Sequence, residues 1–259
     1  MNIRFAALLC GVLFSHSLLA QPVSSSPAVD PIASEKWRFS ITPYVWALGA
    51  SGKLSYNGNS TRTVKINPGE VLSHVNFAAM VEAEAHKGKF GVYVDAMYAD
   101  LSSNKTVVVG RDNVSADTSL DITMVTLAPT YTLQNSSSLY LDGLLGARMF
   151  WQNSKTNFSA TQTDAQVSSS SSIQVVTPVV GLKGRWNLGD SKFFVPFYVD
   201  VGGGPESSFT TQAYLGIGRT FDWGDVSLVA KNVYYQIKPS KATVDMNMFG
   251  AALAVTFRF

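Results

Sequence analysis

Eleven charged residues are spaced as though to meet in one interior: Arg38, Glu82, Glu84, Asp95, Asp142, Arg148, Lys183, Arg185, Asp200, Lys231 and Arg258. Each stands on the polar side of a segment whose residues alternate apolar and polar. A period of two sends alternate side chains to opposite faces of a strand. Two kinds of chemistry suit such a set. The signs are nearly balanced, and buried charges must be paired, so the residues can interlock as a salt-bridged core. Left hydrated, the same residues would line a polar path for a small solute. Asp142 and Arg148 share a face six positions apart, which is roughly 20 Å at about 3.3 Å per residue. They cannot pair along one strand, so their partners must come from other strands.

Catalysis finds little support. Cys10 is the single cysteine and lies in the N-terminal leader, which leaves His74 and His86 as the reactive side chains beyond it. Each reads as a surface or rim residue near a strand end. Nothing gathers a nucleophile, a base and an orienting acid, so no enzyme is expected. The same scarcity argues against a zinc site. Asp112, Asp117, Asp121 and Asp164 fall in or near loops, and their spacing fits no EF-hand. Neither a metal nor a cofactor is expected.

The elements that must hold these charges are strands. Ten are expected, at about 37–48, 75–87, 89–101, 118–134, 138–152, 172–186, 192–203, 207–222, 225–238 and 244–259. Most are long enough to cross a bilayer when tilted, which takes about 9–11 residues. In the last one Phe249, Leu253, Val255, Phe257 and Phe259 oppose Gly250, Ala252, Ala254, Thr256 and Arg258. An apolar outer face and a small or polar inner face are what a lipid-facing barrel needs. The fold expected is all-β, a transmembrane up-and-down antiparallel β-barrel of about ten strands, with eight to twelve allowed by the weaker turns. A charge on the lipid face costs roughly 2–4 kcal/mol at the midplane, which places the eleven charges inside. Phe257 and the terminal Phe259 read as the assembly signal of such a barrel, making the barrel assembly machinery an expected partner.

The connections alternate. Those near Gly88, Asn135, Asn187 and Trp223 are tight, whereas residues 49–74, 102–117 and 153–171 form long loops. Short turns on the periplasmic side and long loops outside are the outer-membrane pattern. In the first loop Asn67-Pro68-Gly69-Glu70 predicts a helix start, with Asn as cap and Pro at the first position. That helix would either narrow the lumen or lie on the rim. The serine run at 168–172 predicts disorder.

The chain's ends agree with export. Arg4 followed by the apolar run Phe5–Phe14 and by Leu18-Leu19-Ala20 fits a cleaved signal peptide over residues 1–20. Residues 21–35 are Pro- and Ser-rich and read as a flexible periplasmic leader. The barrel domain takes residues 36–259. The formal net charge of +2 falls to +1 without Arg4, so neither nucleic acid nor a strongly charged partner is expected. Outer-membrane lipid and lipopolysaccharide would surround a monomer in the bacterial outer membrane.

The chain resembles a family of largely uncharacterised Gram-negative outer-membrane β-barrel proteins. The residues that carry this are Pro43-Tyr44 with Trp46, the run Gly88-Lys89-Phe90-Gly91 with Asp95 and Tyr98, Asp142-Gly143 with Gly146 and Arg148, Pro178 with Gly181-Leu182-Lys183-Gly184, and Asp200-Val201-Gly202-Gly203. Ala230-Lys231 stands where such proteins tend to carry an aromatic-Arg pair. The resemblance implies the fold and no established activity. The function expected is structural, or a narrow pore for small solutes. Alternatives are a surface adhesion protein acting through its extracellular loops, and an outer-membrane enzyme.

Overall fold

A computed structural model describes residues 36–56, 59–109, 112–160, 166–204, 209–237 and 242–259. The expected signal peptide and leader lie outside the described residues. Alternation dominates the rest of the chain, and it folds into strands: β1 (Trp37–Tyr56), β2 (Asn59–Ile66), β3 (Val75–Lys87), β4 (Phe90–Val109), β5 (Asp112–Asn135), β6 (Leu139–Ala160), β7 (Gln166–Asn187), β8 (Phe193–Gly203), β9 (Phe209–Phe221), β10 (Gly224–Ile237) and β11 (Ala242–Arg258). One short helix, α1 (Pro68–His74), precedes β3.

Ten of these strands form a closed antiparallel barrel, each hydrogen-bonded to its sequence neighbours, with β11 returning to β1. Strand β2 is a hairpin arm folded back on the far half of β1. Closure runs to the last residue, because Phe39 and Phe259 exchange backbone hydrogen bonds of 3.1 and 2.9 Å. Closure pairs nearly all of the wall, and an unpaired backbone group facing lipid would cost several kcal/mol. Tight turns join β3–β4, β5–β6, β7–β8 and β9–β10 at one end, hereafter the turn end. Gly88 (φ +58°) and Gly189 (φ +60°) take left-handed conformations there that favour glycine.

Apolar side chains cover the outside of the wall. On β4 Phe90 and Val92 point outward, while Tyr93, Asp95 and Met97 are buried inside. On β11 Phe249, Leu253, Phe257 and Phe259 point outward and Met248 and Ala252 inward. Aromatic pairs girdle both rims. At the turn end Trp37 stacks on Phe39 at 5.9 Å, Phe90 meets Tyr131 edge-on at 5.2 Å and Phe221 stacks on Trp223 at 5.5 Å. At the other rim, the loop end, Phe77 lies 6.1 Å from Tyr98 and Phe209 6.2 Å from Tyr234. Phe90 and Tyr98 are eight residues apart on β4, roughly 26 Å along the strand. At a strand tilt of about 40° that is roughly 20 Å of height, most of an apolar band about 25 Å tall. Outward charges stand at the rims. Arg219 lies over Phe193 and Phe221 at the turn end, and Asp121 and Asp245 accept hydrogen bonds from Tyr98 and Tyr234 at the loop end.

Two expectations for the loop end are corrected. The connections expected at 102–117 and 153–171 are largely strand. β4 to β7 run for 20, 24, 22 and 22 residues, about twice what a bilayer crossing needs. Their far halves form a four-stranded sheet beyond the aromatic rim, in which β4 pairs β5 out to Val109↔Asp112 and β6 pairs β7 out to Ser159↔Gln166. The serine run is not disordered. It lies in β7 opposite β6, where Ser168 and Ser172 donate to Asn157 and Asn153 at 2.8 and 2.9 Å. Short hydroxyl and amide side chains compensate one another across the ladder, a pairing that a composition argument overlooks.

Helix α1 forms where the Asn-Pro start predicts it. Pro68 occupies the first turn and the Val71 N–H donates to the Asn67 carbonyl at 3.0 Å, but the Asn67 side chain makes no capping bond. The helix packs on β1 and β4 at the rim, with the Pro68 ring against Gly49. It crosses a break in the wall. The β1–β3 ladder ends at Pro43↔Val81, where proline has no N–H to continue it. Among the described residues, 44–49 of β1 and 75–80 of β3 make no pairing with one another.

Candidate functional site: a shut lumen and its polar cavity

All eleven predicted charges point into the barrel. Seven line a cavity of about 480 Å³ that opens at the turn end: Arg38, Glu82, Glu84, Lys183, Arg185, Lys231 and Arg258. The other four, Asp95, Asp142, Arg148 and Asp200, are buried deeper. The inference that Arg148 takes its partner from another strand holds.

Arg148 on β6 reaches Asp200 on β8. Its Nη1 donates to Asp200 Oδ1 and to Thr210 Oγ1, each at 3.0 Å, its Nε donates to Thr126 Oγ1 at 3.1 Å, and its Nη2 closes a second contact with Asp200 Oδ2. Asp200 also accepts from the Tyr198 hydroxyl at 2.5 Å and from the Gln212 N–H at 3.1 Å. A bidentate fork filling both carboxylate oxygens is the arrangement in which burial of a pair is least costly. Beside it Lys231 on β10 crosses the lumen to Asp95 on β4 at 2.9 Å. Tyr44 donates to Asp95 at 2.8 Å and accepts from Lys231 at 3.0 Å, and Gln212 Nε2 donates to Asp95 at 3.0 Å. The Lys231 ammonium also lies 4.4 Å from the Tyr44 ring and 5.5 Å from the Trp46 ring. Lysine therefore serves where the resemblance would place an arginine, because two acceptors, Asp95 and Tyr44, and two rings surround its point charge.

One step further along each strand the interior turns apolar. Met97 follows Asp95, Phe150 follows Arg148, and Val233 and Tyr235 follow Lys231; Trp46, Met124, Ile237 and Met248 complete the layer. Phe150 and Tyr235 lie 5.0 Å apart. Arg148, Tyr93, Val233 and Tyr235 have no solvent exposure. The lumen is shut at this level by an ion-paired tier backed by an apolar one. The inner face is thus not simply small and polar, as the last strand suggested. A ten-stranded barrel is narrow enough for side chains from opposite walls to fill it.

Towards the turn end the tiers give way to the cavity. Glu84 binds Lys183, and Asp225 bridges Arg185 (2.7 Å) and Arg258. The Arg185 guanidinium lies 3.6 Å from the Phe194 ring centre, and Arg38 donates to the Gly88 carbonyl at 3.2 Å. His86, expected at the rim, is buried against Gly91, with Glu84 at 3.2 Å and Asp142 at 3.8 Å. His86 and Asp225 are interior residues that sequence reasoning missed, although parity marks both. His86 continues the face of Glu82 and Glu84, and Asp225 that of Lys231. Phe257 and Phe259, expected to serve as an assembly signal, are both exposed at the turn-end rim. His74 is on α1 at the loop end, with Nδ1 2.7 Å from the Glu70 carbonyl oxygen.

No protein-family model matches the chain, and no curated protein sequence matches it. Solved structures do. The outer-membrane protease OmpT of Escherichia coli superposes with a TM-score of 0.57 at 11% identity, over 87% of this chain and 97% of that one. The chain has the fold of an outer-membrane β-barrel. Weaker likenesses include Ail, the attachment invasion locus protein of Yersinia pestis (TM-score 0.35, 14% identity, 86% and 98% of the two chains), and OprG of Pseudomonas aeruginosa (0.35, 11%, 88% and 99%).

Proposed function

We propose that this protein is a monomeric, non-enzymatic outer-membrane barrel that is shut as a pore and works as a structural scaffold for the sheet it raises beyond the bilayer. The observation that carries this reading is the double tier across the lumen, in which Arg148–Asp200 is fully desolvated, Asp95–Lys231 is buried at the floor of the turn-end cavity, and Phe150, Met124 and Tyr235 lie behind them. A solute path would need those ion pairs hydrated. The narrow-pore alternative is therefore disfavoured. The interaction alternative gains support from the far half of β7, which is exposed on both faces. In this reading the turns face the periplasm, the extended hairpins face outward, lipid and lipopolysaccharide surround the wall, and Phe257 and Phe259 engage the assembly machinery. Planar-bilayer recording on refolded protein tests it. The expected result is no steady conductance, and a stable, reproducible open channel would overturn the reading.

A further inference from the structure

Three ligand-bearing side chains meet at the wall of the turn-end cavity. Glu84 and His86 are two apart on β3 and so share a face, and Asp142 comes from β6. His86 Nε2 lies 3.2 Å from Glu84 Oε2 and 3.8 Å from Asp142 Oδ2, and all three ligand atoms fall within 4.8 Å of one another. A tetrahedral ion with bonds of about 2.0–2.1 Å holds its ligand atoms roughly 3.3 Å apart. Two edges of the observed triangle, 3.2 and 3.8 Å, approach that spacing, and side-chain rotation would have to draw the two carboxylates, which lie within 4.8 Å, the rest of the way.

A second observation points the same way. Asp142 has no solvent exposure, and while its Oδ2 accepts from the Tyr140 hydroxyl at 2.9 Å, its Oδ1 is buried without a hydrogen-bond partner. A buried carboxylate oxygen left unpaired is costly, and a cation would satisfy it. The local charges leave room for one. Two carboxylates flank the imidazole, and the ammonium nearby, on Lys183, is bound to the other oxygen of Glu84. The imidazole is held in place: its Nδ1 edge packs on Gly91 so closely that an added Cβ would stand 2.4 Å from it. Tyr140, hydrogen-bonded to Asp142, orients that ligand as outer partners do in metal centres. Glu84, His86, Tyr140 and Lys183 line the cavity, so a fourth coordination position would open towards it.

We propose that Glu84, His86 and Asp142 bind a divalent transition-metal ion of the Zn²⁺ or Co²⁺ class, with the open position facing the turn-end cavity. One imidazole with two carboxylates suits such borderline ions better than Ca²⁺ or Mg²⁺. The site needs no enzyme activity. A cavity that opens at the turn end would exchange the ion from the side where β1 begins and β11 ends.

The test is isothermal titration of Zn²⁺ into chelator-stripped, refolded full-length protein in detergent, with Co²⁺ absorption as a second readout. One ion per chain should bind, and Co²⁺ should give the visible band of a four-coordinate site. His86→Ala and Asp142→Asn should each weaken binding at least tenfold, and His74→Ala should leave it unchanged. Lys183→Met should strengthen it several-fold by freeing Glu84. Heat-modifiable migration on gels confirms that each variant folds, and Asp142→Asn, a near-isosteric change, keeps the test valid if His86→Ala does not. Absence of binding to the wild type would overturn the proposal, as would binding unaffected by both site variants. Binding seen only in Lys183→Met would overturn it too, by showing that the ammonium is the native occupant.

Discussion

Replacing Arg148 with Ala should be among the most damaging single changes that leave the barrel wall untouched. The guanidinium is fully buried and makes contacts to Asp200, Thr126 and Thr210. Thr210 still donates to the Tyr234 carbonyl at 2.9 Å without it, so that threonine loses little, whereas the buried Thr126 hydroxyl loses the donor it accepts from. Asp200 loses its counter-charge. It keeps its bonds from Tyr198 and the Gln212 N–H, but those exist in the wild type and offset nothing. Removing one partner of a buried pair costs about 3–5 kcal/mol. At about 1.4 kcal/mol per tenfold, that is two to three and a half decades in the folding equilibrium. With a urea slope near 2 kcal/mol per molar, a loss of about 4 kcal/mol lowers the midpoint by about 2 M. The assay is urea unfolding in lipid vesicles followed by tryptophan fluorescence. The double change Arg148→Met with Asp200→Leu removes both charges and should recover most of the loss, since apolar replacement of a buried pair is often neutral or stabilising. A coupling energy from the full cycle isolates the pair. A midpoint shift under about 0.5 M for Arg148→Ala would mean that water reaches the guanidinium and that the lumen is not shut.

Two further predictions concern orientation and the wall. A cysteine placed at Ser170, in the extended part of β7, should react with a membrane-impermeant maleimide on intact cells, whereas one at Asp190 in the β7–β8 turn should react only after the outer membrane is opened; the reverse pattern would invert the topology. Amide exchange should be faster along 44–48 of β1 and 76–80 of β3, where the β1–β3 ladder stops, than in the fully paired middle of β5 and β6, and equal protection in both places would show that the break in the ladder closes in the membrane.

How far the sequence reaches differs from feature to feature. The break after Pro43 has a visible cause, a residue without an N–H, yet nothing local says that the adjoining six residues of β1 keep β11 on one edge and lose β3 on the other. The far strands were hidden because Ser, Thr and Asn in 153–171 carry no apolar alternation. They are strands through cross-strand pairing, and a hydrophobic period cannot report a segment with no buried face. His86 shows the opposite case, a parity signal that was present and outweighed by nearness to a turn.

The facing of each strand follows from the chain alone. A period of two and the cost of charge in lipid are local and additive, so each strand announces which of its sides is dry. That was enough to put eleven charges inside and the aromatics at the rims. Which side chains meet across the lumen does not follow from it. Arg148 and Asp200 are 52 positions apart, and Asp95 and Lys231 are 136 apart. Which residues share a level depends on register and stagger around the closed barrel. Those are set by every ladder together, including the one between the first strand and the last.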